Sequence, residues 1–191
     1  MADAGCNMSH LPGDGVEAPG YARTARVLHW VTAVLVLIIL PVGVVIANEW
    51  GGRLQDPLYS LHKSVGALLL LLVVVRLAYR LTHKPPPLPG DIPPIQRLAA
   101  QATHWALYAL LIVQPLLGWA GTSAYPAPVP VFGLFELPPL LAPNRALSEQ
   151  LLSVHGLIGL TIAGLAALHI GAALFHHFVR RDRVLLRMIS G

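Results

Sequence analysis

The residues most able to do chemistry in this 191-residue chain are its nine histidines, set among only 13 Lys+Arg and 9 Asp+Glu. His29, His62, His104, His155 and His169 fall inside or at the ends of long apolar stretches. At such depths an ionisable group without a partner is costly, which makes each a functional candidate. His155 and His169 are 14 residues apart, nearly four helical turns and about 21 Å of rise, so they share one helix face at two depths. One metal cannot use both. Gly159, Ile162 and Ala166 lie between them on that face, with Gly156 and Gly164 adjacent, and small residues there leave room for a flat macrocycle or a close helix. A packing face whose histidines hydrogen-bond between helices is the plainer alternative, and two ligand levels is the reading favoured.

The elements that must position these side chains follow from composition. Hydrophobic residues make up 55% of the chain and charged residues 12%, against roughly 25% charged in soluble domains; the mean hydropathy is +0.63. The chain is an integral membrane protein in contact with lipid, and no nucleic-acid partner is expected. Four apolar stretches, at about 27–47, 61–81, 98–120 and 151–179, are each long enough to cross a bilayer. They are read as α-helices, since lipid cannot satisfy an open strand, and Pro41 and Pro115 are tolerable as kinks. The fold class is all-α, a four-helix membrane bundle over 21–191, preceded by a disordered tail over 1–20 that contains His10. The lone Cys6 excludes an internal disulfide, a covalent c-type haem and a cysteine-bound iron–sulfur cluster.

Ten of the 13 basic residues flank one end of the spans: Arg23, Arg26, Arg76, Arg80, Lys84, Arg97, Arg180, Arg181, Arg183 and Arg187. Arg53, Lys63 and Arg145 are left for the other. The positive-inside rule therefore places both termini and the Pro-rich 82–97 link in the cytoplasm. The 121–150 segment lies outside, and its apolar VFGLFELPPLLA reads as a cap on the bundle. Trp30, Trp50, Trp105 and Trp119 near span ends form an ordinary aromatic belt. Topology then pairs His29 with His169 at the cytoplasmic level and His62 with His155 at the outer level; the swapped pairs would be about 20 Å apart in depth. Two separate histidine pairs without thiolates or carboxylates fit two bis-imidazole b-type haems better than zinc, which takes about four ligands per site.

The motifs RVLHW at 26–30, LHKSVG at 61–66 followed by VVVRL, SVHGLIG at 153–159 and ALHIGAALFHHF at 167–178 followed by LLRM resemble the bacterial cytochrome b561 family of di-haem, four-helix inner-membrane proteins. The resemblance covers about residues 22–189. The chain departs from the family in its tail and its Pro-rich outer loop. The resemblance implies two non-covalent haems b, electron exchange with the quinone pool, and, in one branch, superoxide oxidation that passes electrons to ubiquinone. His104 resembles a family histidine that is not an iron ligand, and its expected role is a hydrogen bond to a haem propionate or to interfacial water. Arg76 and Arg80 are candidate propionate partners, with snorkelling to the interface as the alternative. His176, seven residues beyond His169 and on the same face, is the candidate quinone contact. Its alternative is a polar interfacial cap with Arg180 and Arg181. Lys63, with Arg53 and Arg145, is placed to draw an anion such as superoxide towards the outer haem, or to anchor at the interface. The expected function is transmembrane electron transfer between a periplasmic donor, superoxide being one, and membrane quinone. Two other readings stand beside it: a cytochrome b anchor subunit of a dehydrogenase or hydrogenase, and a non-redox membrane module.

Overall fold

The computed structural model describes residues 20–87 and 92–190. The expected tail, apart from Gly20, and residues 88–91 of the Pro-rich link lie outside them. Four long helices dominate: α1 (Arg23–Ala47), α2 (Gln55–Thr82), α3 (Pro94–Ala124) and α4 (Arg145–Phe175), which continues as a π-helical turn over His176–Arg180. All four are long and apolar enough to cross a membrane. The helices overrun the apolar stretches because their ends are set by local chemistry and not by hydropathy. Pro94 occupies the first turn of α3, where its missing N–H is no loss. Asn144 caps α4 by accepting the Leu147 N–H at 3.1 Å, which satisfies one of the orphan donors there. Pro41 and Pro115 sit inside α1 and α3.

Helix α1 packs on α2, α2 on α3, α3 on α4, and α4 returns to α1, closing an antiparallel ring. Its central layer is Val36, Val65, Leu69 and Ile162, flanked by Leu110, Leu111 and Ile158. Ile162 is midway along the chain between His155 and His169, so an apolar plug separates the two histidine levels. Outward, Leu37 and Ile38 of α1, Leu71 and Val74 of α2 and Leu157, Leu160 and Leu168 of α4 are exposed. Apolar stripes of that size on every side mark surface meant for lipid rather than water.

One end of the bundle holds the α2–α3 link and both termini of the helical region, and carries most of the basic residues; the other holds the α3–α4 connection. In that connection strands β1 (Val129–Val131) and β2 (Phe135–Leu137) pair antiparallel, with Val131 opposite Phe135. An all-α reading of an apolar loop did not anticipate this hairpin. Its turn needs positive φ at Phe132 and Gly133, a conformation in which glycine meets no Cβ penalty. The hairpin lies on α2: the Ser64 hydroxyl sits 2.8 and 3.1 Å from the Ser60 and Pro130 carbonyls and accepts the Phe132 N–H. The Trp119 indole N–H holds Pro138 and Ser123 accepts from Leu140, fixing the rest of the loop on α3.

At the basic end a strap carrying α5 (Leu186–Ile189) folds back onto the start of α1. The Trp30 indole donates to Met188 O (2.9 Å), Arg26 to Ile189 O (3.1 Å) and the Tyr21 N–H to Arg187 O (3.2 Å). Arg187, only 3% exposed, places its guanidinium over the Tyr21 ring.

Candidate cofactor site

The helix register brings the histidines together in pairs. His62 of α2 faces His155 of α4 with ring centroids 6.0 Å apart, and His29 of α1 faces His169 of α4 at 6.2 Å. A metal–imidazole bond of about 2.0–2.1 Å plus a ring radius of about 1.1 Å puts two rings on opposite sides of one ion roughly 6.3 Å apart. Both pairs fit that span. Among the described residues no group of three or more His, Cys, Asp or Glu side chains could hold a metal ion. A two-imidazole site would need its remaining ligands from a bound group, and a haem would supply them.

The surroundings of the hairpin-end pair fix the His155 ring by a hydrogen bond. His155 Nδ1–H donates to the Gln114 carbonyl at 2.9 Å, while the Gln114 side-chain amide donates back to the His155 carbonyl at 2.9 Å. The first bond leaves Nε2 with its lone pair, the arrangement that orients a metal-ligating histidine. His62 Nδ1 is buried without a hydrogen-bond partner among the described residues, so a group bound at its other nitrogen would be this ring's main polar contact. Two glycines on the neighbouring helices lie against the rings. A Cβ on Gly43 would come 3.1 Å from His62 Cε1, and one on Gly118 would come 2.9 Å from His155 Cε1. The small residues expected to make room on α4 itself act otherwise: a Cβ at Gly156 or Gly164 meets nothing within 4 Å, and Gly159 backs onto Gln114.

At the basic end the Arg76 guanidinium is 2.8 Å from His29 Nδ1 and lies over the Tyr108 ring, while Arg80 lies over both Trp105 and Tyr108. Both arginines therefore stay near the basic-end pair and carry their charge on aromatic faces. His104 packs against His169 at 5.2 Å, about 1 Å short of the span two rings need across an ion. His176 bonds Asp182 through Nδ1 at 2.5 Å. Lys63 donates to the Pro128 carbonyl at 2.9 Å, so its ammonium is tied to the base of the hairpin. Sequence reasoning missed Gly43, Gly118, Tyr108, Gln114 and Asp182. Only Gln114, a polar side chain in the apolar run LLIVQPLL, carried a signal that a search for buried polar groups would have found.

The family model described as prokaryotic cytochrome b561 matches residues 20–191. The chain belongs to the prokaryotic cytochrome b561 family. It is 34% identical over 174 residues to cytochrome b561 homolog 2 of Escherichia coli K12, covering 89% of this chain and 91% of that protein. It is 30% identical over 163 residues to the probable superoxide oxidase CybB of Yersinia pestis, covering 85% and 91%. As a member of the cytochrome b561 family it is a bacterial membrane protein that transfers electrons and uses haem b.

Proposed function

We propose that the chain holds two haems b in the bacterial inner membrane, one between His29 and His169 and one between His62 and His155, and moves electrons between a periplasmic donor and membrane quinone. The two ring pairs, with centroids 6.2 and 6.0 Å apart, carry this reading. Haem b held there supplies reversible single-electron storage without covalent chemistry. The protein sets its depth, orientation and access. When Nε2 of His29 is a ligand, Nδ1 carries the proton and no longer accepts from Arg76, which frees that guanidinium, with Arg80 beside it, for the haem carboxylates. His104 then serves as a hydrogen-bond donor to a propionate or to interfacial water.

The likeness to a probable superoxide oxidase supports superoxide as donor. Each of two superoxide anions gives one electron and leaves as dioxygen; one quinone takes up two electrons and two protons. Lys63 beside His62 supplies positive charge at the outer mouth, and His176 at the opposite end supplies a proton-exchanging contact for the quinone. The reduced-minus-oxidised spectrum with haem quantification should give two haems per chain, and superoxide followed by quinone should reduce and then reoxidise them. A chain that purifies with a dehydrogenase or hydrogenase partner, and that neither superoxide nor quinone affects alone, would instead be an anchor subunit.

Lys63→Gln should slow haem reduction by superoxide roughly threefold or more at low ionic strength, with the difference shrinking as salt rises, because steering of an anion is screened over about 10 Å at 0.1 M. The expected loss is modest, since Lys63 already shares its charge with the Pro128 carbonyl. Stopped-flow traces identical to the parent at every salt concentration would remove Lys63 from the route.

Orientation is a separate expectation. Reporter fusions after Arg97 and at the C-terminus should read cytoplasmic and one after Gly133 periplasmic, as ten basic residues against three require. A periplasmic C-terminus would invert the direction of the whole path.

A further inference from the structure

The last turn of α4 departs from α-helical geometry where it approaches His176. Residues His176–Arg180 form a π-helical turn, and Arg181 follows in the left-handed region at φ 55° and ψ 33°. Non-glycine residues hold that conformation only where the surrounding structure fixes it, and π-turns concentrate at functional positions. Here the reversal lets the Asp182 N–H donate to the His176 carbonyl at 3.2 Å and swings the Asp182 carboxylate back onto the imidazole. One carboxylate oxygen meets His176 Nδ1 at 2.5 Å and Arg180 Nε at 3.4 Å; the other accepts the Val184 N–H at 3.0 Å. Arg180 also reaches Gln96 at the start of α3. Both side chains of the dyad are nearly enclosed, at 14% and 13% exposure. Other charged or titratable groups of this end include His177 and Arg181, next to the dyad in the chain, Arg97 on α3, Arg183 and Arg187 on the strap, and, around the His29–His169 pair, His104, Arg76, Arg80 and Arg26; Asp182 is the carboxylate in contact with His176.

We propose that Asp182 is a positioning residue for His176, holding its Nδ1–H so that Nε2 is the nitrogen that exchanges a proton with a membrane quinone. The inference rests on the quinone reading of His176. In quinone reduction the doubly protonated ring gives its Nε2 proton to a quinone oxygen as that quinone takes up electrons from the protein, and remains neutral with Nδ1–H on Asp182. The ring regains its proton from cytoplasmic water. One of the two protons a quinol needs passes this way. The carboxylate does not itself change protonation; it fixes the tautomer and faces the cationic ring with an opposite charge, the role an acid plays behind a catalytic histidine. His176 lies seven residues beyond His169, about 10 Å along the helix, so the dyad stands two turns past the basic-end histidine pair.

The test uses the purified haem-loaded protein and a short-chain ubiquinone, following haem reoxidation by stopped flow in H2O and D2O. Asp182→Asn keeps the shape, but its amide can donate to Nδ1 and trap the proton on Nε2. The maximal rate should fall about tenfold or more, with a larger solvent isotope effect and a KM for quinone within threefold of the parent. Asp182→Ser, which keeps an oxygen for the Val184 N–H, provides a second carboxylate-free variant should the first lose haem. Asp182→Glu should recover most of the rate. His176→Ala should be slow. A slow His176→Ala beside carboxylate-free variants with parental rate and isotope effect would overturn the role of Asp182 and leave the quinone reading standing. A His176→Ala variant as fast as the parent would overturn both.

Discussion

Replacing His62 or His155 with alanine should lower the haem content from about two to about one per chain, and the haem that remains should be the one at the basic end. A haem held between two imidazoles would, on losing one, keep only the other imidazole, packing and its carboxylate contacts, and losses of even supporting groups around a metal cost about 10–100-fold in affinity. The two sites should empty independently, because the Val36, Val65, Leu69 and Ile162 layer lies between them and the levels are about 20 Å apart along α4. His29→Ala and His169→Ala should have the mirror effect. His104→Ala is the informative control: its ring sits 5.2 Å from His169, too close to share an ion across a macrocycle, so this variant should keep both haems and shift at most the spectrum of one. Unchanged haem content in all four single variants, with loss in His104→Ala, would overturn the ligand assignment.

The four spanning helices and the pairing of their histidines were legible before any coordinates because both depend on one-dimensional quantities. Hydropathy decides which segments must cross lipid, and rise per residue decides which histidines share a depth. What escaped depends on helix rotation and on chain reversals. Gly43 and Gly118 look like any other glycines in an apolar run, and only the azimuth of α1 and α3 turns them onto His62 and His155. Gln114 reaches His155 because α3 and α4 pack closely, and its main-chain carbonyl, which matters most to the imidazole, has no sequence signature at all. Asp182 belongs to a basic stretch that reads as an interfacial anchor until the left-handed Arg181 turns it back onto His176. The hairpin was hidden because prolines and apolar residues interleave there, and its pairing is settled by the Phe132–Gly133 turn and by Ser64 rather than by alternation.

Those rotations make a second large effect predictable. Gly118→Ala should reduce occupancy of the hairpin-end haem site about tenfold or more, judged by haem retained through dilution and by the remaining spectrum. The added methyl would stand 2.9 Å from His155 Cε1 and 3.1 Å from Nδ1, closer than carbon atoms pack at their optimum of about 3.5–4.0 Å. The ring cannot yield without breaking its bond to the Gln114 carbonyl, which fixes the tautomer that leaves Nε2 available. Gly43→Ala approaches His62 at 3.1 Å, and that ring has no hydrogen bond from Nδ1 among the described residues to lose, so it can shift and the loss should be smaller. Gly164→Ala separates a steric effect from a general one. Gly164 lies five residues from His169 and nine from His155, roughly opposite the ligand face, and its Cβ meets nothing within 4 Å. That change should leave both haems in place and favour the helix slightly, since alanine is the better helix former. If Gly118→Ala and Gly164→Ala retain haem equally, the His155 ring is not clamped between α3 and the cofactor, and the hairpin-end site is built differently from the one drawn by His62 and His155.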